Sequence, residues 1–193
     1  MTFSPGNPPV WFRVLVYIGL AAAAAGLVVI VTRNSILRQH QVLEQREKLL
    51  RSAVEEKIRL SYMSALEFEL SSDTTVREAA VKVIGSIEGF QAEDMKISVL
   101  SDYYCRTDQL LNDLILLAFK RTGIGKAERT AAEYIMNLPV QDEKTAAAAD
   151  KYNAAADRYN RLCKSFLYAA AAAIAAAEQK ERFSCTRAFL NEY

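Results

Sequence analysis

Asp150-Lys151-Tyr152-Asn153-Ala154-Ala155-Ala156-Asp157-Arg158-Tyr159-Asn160 is the stretch that decides the fold, because the order Asp-basic-Tyr-Asn returns after seven residues. A helix drifts only about 20° over seven residues, so the two Tyr-Asn pairs share one helical face. Phe166 continues that face one heptad further. We therefore predict a coiled-coil-like packing seam formed by Tyr152, Asn153, Tyr159, Asn160 and Phe166.

These Tyr-Asn pairs allow two interpretations. In the first, the rings fill the core of a helical bundle and the amides fix the register through hydrogen bonds between helices. In the second, the same groups line a polar pocket inside the bundle. Packing requires heptad periodicity and a binding site does not, so the sequence favours the first interpretation.

The composition favours an all-helical protein that does not bind nucleic acid. Only 7 Gly and 4 Pro occur in 193 residues, and Ala, Leu, Glu, Lys and Arg are common, which favours helix over sheet. The formal net charge is +1. A nearly neutral domain does not offer the positively charged surface that neutralises the phosphates of a nucleic acid. Nucleic acid is therefore not expected as a partner.

An apolar segment near the start predicts a membrane anchor. Residues 14–32 are uncharged and mostly apolar, which is long enough to cross a hydrocarbon core of roughly 30 Å. Cleavage as a signal peptide after the alanines at 21–25 would leave an apolar stub, so we predict a single-pass signal anchor. The predicted organisation is a short tail at 1–12, a transmembrane anchor in the lipid bilayer at 13–33, a helical bundle domain at 34–183 and a C-terminal tail at 184–193.

Basic residues near this anchor predict its orientation in the cell membrane. Arg13 precedes the span, whereas five basic residues follow it within about 20 positions, namely Arg33, Arg38, Arg46, Lys48 and Arg51. The positive-inside rule therefore places the large domain in the cytoplasm. Three widely spaced cysteines, Cys105, Cys163 and Cys185, fit neither a disulfide framework nor a CxxC motif, and Cys163 is predicted to be a small buried residue.

Helical periodicity divides the rest of the chain into three or four segments. A stripe of Ile36, Leu43, Leu50, Val54 and Ile58 predicts a first helix that continues from the anchor to about residue 70. Residues 71–74 supply several N-cap types, and Thr75 with Glu78 also matches a capping box. A long seam at a spacing of seven follows, made of Val76, Val83, Phe90, Ile97, Tyr104 and Leu111. The sequence allows a break between Asp94 and Asp102 but does not require one.

The last part of the chain predicts a loop and two more helices. Gly123 and Gly125 mark a loop at 122–125. A shorter helix is predicted at 126–137, ending at Leu138-Pro139, and a final long helix at 142–182. The predicted fold is thus all-α, with one N-terminal transmembrane helix followed by an antiparallel bundle of three to four long helical segments.

The residues show no constellation typical of an enzyme. His40 is the single histidine and is predicted to be an exposed residue of the first helix. We expect no catalytic, cofactor-binding or metal-binding residues and no small-molecule substrate. The function predicted from the sequence is a membrane-anchored scaffold or adaptor that binds a protein partner or itself; the alternative is a membrane-tethered sensory or ligand-binding bundle.

The stretch from Thr145 to Phe166, together with the N-terminal anchor, resembles the LemA family. The resemblance rests on the two Tyr-Asn pairs one heptad apart, at Tyr152-Asn153 and Tyr159-Asn160, and Phe183 matches an aromatic that family members often carry near the end. It implies a membrane-tethered helical bundle and brings no catalytic residues with it.

Overall fold

The computed structural model describes residues 9–121, 126–165, 168 and 177–185. Within these residues the long elements are four helices: α1 at Val10–Glu69, α2 at Thr74–Ile87, α3 at Ile97–Arg121 and α4 at Lys126–Lys164. A single 3-10 turn at Ala92–Asp94 precedes α3. The prediction of an all-α protein with a long N-terminal helix is confirmed.

Helix α1 joins the predicted anchor to the first helix of the bundle without a break. It has 60 residues, or about 90 Å at 1.5 Å per residue. Its first part is long and apolar enough to cross a membrane, and the most apolar stretch of 18 residues has no buried residue. The predicted stripe farther along is buried at every position, from Ile36 to Ile58.

The turn between α1 and α2 is closed by an aspartate cap. The side chain of Asp73 accepts hydrogen bonds from the backbone N–H groups of Thr75 and Val76, at 2.8 and 3.2 Å. These bonds satisfy two of the helix's unpaired donors, and they lower the pKa of Asp73, the bond from Val76 most strongly. Asp73, rather than the Thr75 of the predicted capping box, is therefore the N-cap.

The long seam predicted from Val76 to Leu111 is broken by a loop. Helix α2 ends at Ile87, and Gly89 has a φ of +78°, a conformation that glycine adopts without steric cost. The seam positions on either side of the break, Val76, Val83, Ile97, Tyr104 and Leu111, are nevertheless buried. The sequence showed the buried face correctly, whereas the interruption lies between Ile87 and Ile97, mostly ahead of the interval 94–102 in which the sequence allowed a break.

Helix α4 differs most from the prediction. It runs unbroken through Pro139, where two helices were expected, because an exposed proline on one face costs the helix a hydrogen bond without ending it. It stops at Lys164 instead of 182, and residues 177–185 are not helical. The predicted loop at 122–125 and most of the alanine-rich stretch at 166–176 lie outside the described residues.

The chain forms two compact units. The first comprises residues 1–41 and 158–179, and the second comprises residues 42–157 and 180–193. In the first unit the described part of α1 is exposed up to Val28 and becomes buried at Thr32 and Ile36. An exposed apolar surface at the start of a helix is the pattern expected of a segment that lipid covers.

The second unit is an antiparallel bundle in which α1 and α4 run in opposite directions. The carbonyl of Ala53 accepts hydrogen bonds from the side chains of Gln141 and Thr145, at 2.8 and 3.3 Å. Between α2 and α3, the hydroxyl of Tyr103 donates to the carbonyl of Ser86 at 2.5 Å. Polar side chains thus fix the register of the helices around an apolar core.

Candidate functional site

The two tyrosines of the predicted seam are both buried, Tyr152 at 1% and Tyr159 at 2% exposure. Burial raises the pKa of each phenol to about 12, with the nearby charge of Glu47 adding to the effect at Tyr152 and Cys163 adding at Tyr159. Both hydroxyls therefore stay neutral at physiological pH.

In the first unit, Tyr159 packs on the single histidine of the chain. The ring of His40 lies edge-on to the ring of Tyr159, with 5.6 Å between the centroids. The prediction of an exposed His40 was wrong, since the side chain is half-buried in this contact. Cys163, predicted to be buried, is a half-buried free cysteine, and Asn160 is also half-buried. Phe166 lies outside the described residues.

Asn153 binds an extended backbone instead of another helix. Its amide nitrogen donates to the carbonyl of Phe183 at 2.8 Å, and its amide oxygen accepts from the N–H of the same residue at 2.9 Å. The partner segment, residues 180–185, is named here the C-terminal strap. Phe183 lies outside any helix or strand, so its backbone N–H and C=O groups have no partner in regular secondary structure. The side-chain amide of Asn153 satisfies both groups.

The C-terminal strap has polar contacts on both sides of Phe183. The hydroxyl of Tyr152 donates to the carbonyl of Glu181 at 2.9 Å. The Glu181 carboxylate accepts from the hydroxyl and the N–H of Ser98, at 2.7 and 3.2 Å, and these bonds lower its pKa. Beyond Phe183, the N–H of Ser184 donates to the hydroxyl of Ser101 at 3.1 Å.

The strap is also tied to α3 by its side chains. Phe183 is 5% exposed, and its ring lies edge-on to that of Tyr104, with 5.9 Å between the centroids. Cys185 forms a disulfide with Cys105, across 80 residues of sequence. The prediction that no disulfide fits these cysteines was wrong, because sequence spacing says nothing about two positions that only the tertiary fold brings together.

A buried ion-pair cluster lies among α1, α3 and α4. The ammonium of Lys57, on a side chain only 2% exposed, lies 3.0 Å from a carboxylate oxygen of Asp108 and 2.5 Å from one of Asp142. The hydroxyl of Tyr104 donates to that same oxygen of Asp142 at 3.0 Å. A buried ammonium is tolerated only when it is paired in this way.

Sequence reasoning missed this cluster, although one signal was present. Lys57 falls between Val54 and Ile58 in the apolar stripe of α1, and a lysine on a buried face demands an acidic partner. The sequence alone does not show which of many aspartates supplies it. Asp108 and Asp142 are 51 and 85 residues away in the chain.

A cavity of about 330 Å³ lies beside the ion-pair cluster. Its lining includes the polar residues Tyr104, Asp142, Thr145, Asp150 and Asn153, and two strap residues, Phe183 and Cys185. The cavity is therefore polar, and the strap forms part of its wall. Its size suits about ten water molecules or a small polar molecule.

A larger depression of about 710 Å³ lies elsewhere on the second unit. Its walls mix acidic and basic side chains. Arg51 pairs with Glu47 at 2.6 Å and also donates to the carbonyl of Ala92. An exposed depression lined by charges of both signs is typical of a hydrated surface.

The described residues hold no group of three or more His, Cys, Asp and Glu side chains placed to bind a metal ion. Comparisons with protein-family models, with curated proteins and with solved structures found no match to the chain. The class defined by the fold is therefore an all-helical protein with one N-terminal helix suited to a membrane, and its function has to be argued from its own residues.

Proposed function

We propose that this protein is a membrane-anchored helical-bundle scaffold or adaptor that acts through protein–protein contacts, including self-association, and not through catalysis. The observation that carries the proposal is the combination of an exposed apolar N-terminal helix with a bundle whose predicted seam is filled by Tyr152 and Tyr159. Buried rings at both seam tyrosines favour a binding surface on the outside of the bundle over a ligand held at the seam. The resemblance to the LemA family, a proposal in its own right, is consistent with this architecture.

Two exposed apolar pairs on the second unit support a surface role. Leu116 and Phe119 share a face near the end of α3, and Met136 and Val140 share a face of α4. Phe119 is 55% and Met136 77% exposed. Large apolar side chains that cluster on a surface are typical of sites that a partner covers.

Crosslinking in intact cells tests the adaptor proposal. The full-length chain should yield crosslinked species larger than the monomer, and the double variant Phe119→Ser/Met136→Ser should yield fewer of them. Val81→Ser, which removes from α2 an apolar side chain about as exposed as Phe119, is the matched control and should leave the pattern unchanged. If the wild-type chain gives only monomer, the proposal fails.

The alternative function is a ligand-binding bundle, and the polar cavity beside Asp142 is the observation that favours it. A small polar molecule held there would raise the melting temperature of the protein by mass action. Melting curves with and without a small-molecule extract of cells test this alternative. A shift that Thr145→Val abolishes would replace the adaptor proposal with a sensory one, whereas superimposable curves would eliminate the alternative.

The proposal also includes the side of the membrane on which the bundle lies. Two observations disagree on this point. The basic residues after the anchor favour the cytoplasm, but long domains cross membranes largely regardless of nearby charge. The Cys105–Cys185 disulfide favours a compartment in which disulfides form and persist. We infer from the disulfide that the bundle lies on the oxidising side, contrary to the sequence prediction of a cytoplasmic domain.

Cysteine labelling decides the orientation. Cys185 is unsuitable as a probe because it is disulfide-bonded; the exposed Ser72 in the α1–α2 turn offers a position far from the strap. The variant Ser72→Cys, in a Cys163→Ser background, should react with a membrane-impermeant maleimide in intact cells. Reaction only after lysis would place the bundle in the cytoplasm, as the charges predict.

A further inference from the structure

We propose that the Cys105–Cys185 disulfide is a redox latch: it holds the C-terminal strap against α3 and α4, and its reduction by a dithiol opens the polar cavity beside Asp142. This inference goes beyond the adaptor proposal and does not depend on it, because it concerns only the second unit and its own disulfide.

The disulfide anchors one end of the strap. Cys185 lies at the distal end of the six residues; Glu181, Phe183 and Ser184 make hydrogen bonds, and the exposed Arg182 adds an ion pair with Asp157 at 3.8 Å. The strap has no helical or sheet hydrogen bonds of its own. Ordering an extended segment has an entropic cost at every residue, which a few hydrogen bonds and one buried ring offset only in part. The covalent bond therefore decides whether the strap stays docked.

The docked strap covers part of the cavity beside Asp142. Phe183 and Cys185 are wall residues of the cavity, together with Tyr104 and Asp142. Phe183 packs on the ring of Tyr104, and the Tyr104 hydroxyl donates to Asp142, the partner of Lys57. Departure of the strap removes one wall of the cavity, exposes the Tyr104 ring and gives water or a partner access to Asp142.

The chemical step is a thiol–disulfide exchange. A thiolate of the dithiol attacks one sulfur of Cys105–Cys185 and forms a mixed disulfide, which the second thiol of the reductant resolves. Two electrons pass to the protein, Cys105 and Cys185 become thiols after taking up two protons, and the dithiol leaves as its own disulfide. An oxidising compartment keeps the latch closed, and a dithiol reductant opens it.

Hydrogen exchange on the full-length chain in mild detergent tests the latch, with dithiothreitol as the dithiol. In the oxidised protein the N–H groups of Phe183 and Ser184, which donate to Asn153 and Ser101, should be protected. Reduction should speed exchange in residues 177–185 by at least about tenfold, as expected of local opening, while α2 remains protected. Carbodiimide labelling should then modify Asp142 only after reduction, whereas the exposed Glu56 should react in both states.

Variants separate the latch from an ordinary stabilising cross-link. Cys105→Ser/Cys185→Ser should behave as the reduced protein with or without dithiothreitol, and Cys163→Ser, the matched control at the free cysteine, should respond as the wild type. Asn153→Ala with the disulfide intact should leave Asp142 unlabelled, because the covalent bond still holds the strap. A strap that stays protected after reduction, or a bundle whose α2 loses protection at the same time, would overturn the proposal.

Discussion

At the residue scale, single side chains in this protein serve both the core and the strap. Tyr152 fills the bundle interior and donates to the strap through its hydroxyl, while Asn153, its neighbour, holds the backbone of Phe183. Neutral tyrosines and an uncharged amide suit this role because they donate hydrogen bonds without burying a charge.

Tyr159 gives the first prediction. Replacing Tyr159 with Ala removes a ring that is 2% exposed and should cost about 3–5 kcal/mol of stability, as for other large aromatic truncations in cores. Denaturant unfolding of the full-length chain in detergent, followed by circular dichroism, measures the loss. Tyr159→Phe keeps the ring and serves as the control; equal stability of wild type and Tyr159→Ala would show that the ring is not packed.

Glu181 gives a pH prediction. The Ser98 hydroxyl and N–H lower the pKa of this carboxyl, so its contribution is fully present above the ordinary glutamate pKa and is lost as pH falls through the lower folded value. Glu181→Gln should therefore lower the denaturation midpoint at about pH 7, and the difference should shrink as the pH falls below the ordinary glutamate pKa. The exposed Glu69→Gln is the control. A difference that persists in acid would mean that the charge is not involved.

At the scale of the elements, the ends of the helices were harder to predict from the sequence than their buried faces. The buried faces of α1, α2 and α3 follow the heptad positions read from the sequence, whereas the break after Ile87 depends on the positive φ of Gly89. Pro139 shows the opposite case, a strong breaker that a long helix carries on its exposed side.

The two glycines of this region give a matched pair of predictions. Gly89→Ala forces a side chain into the left-handed region and should cost about 1–2 kcal/mol. Gly85→Ala lies inside α2 with open space around it and should instead stabilise the protein by about 0.5–1 kcal/mol. Thermal unfolding of the two variants shows whether each substitution lowers or raises the stability of the protein. A stabilising Gly89→Ala would refute the loop conformation.

At the scale of the whole molecule, the second unit is held together by a polar centre within an apolar bundle. Lys57 connects three helices through Asp108 and Asp142. Such pairs are costly to desolvate, and breaking one is more damaging than replacing both partners.

Lys57 gives the last prediction. Lys57→Met leaves Asp142 without its cation and should destabilise the protein by about 3–5 kcal/mol, and adding Asp142→Asn should recover much of that loss. Denaturant unfolding of the single and double variants measures the loss of stability and its recovery. A single variant within about 1 kcal/mol of wild type would indicate a solvated surface pair instead.

The sequence by itself determined the helical class, the apolar anchor and the buried faces, because these follow from periodicity over neighbouring residues. Only the tertiary structure decided that Lys57 pairs with Asp142, that Asn153 binds a non-helical strap, and that Cys105 meets Cys185. These contacts join positions from 30 to 85 residues apart. Helical periodicity says which face of a segment is buried but carries no information about which distant segment packs on it.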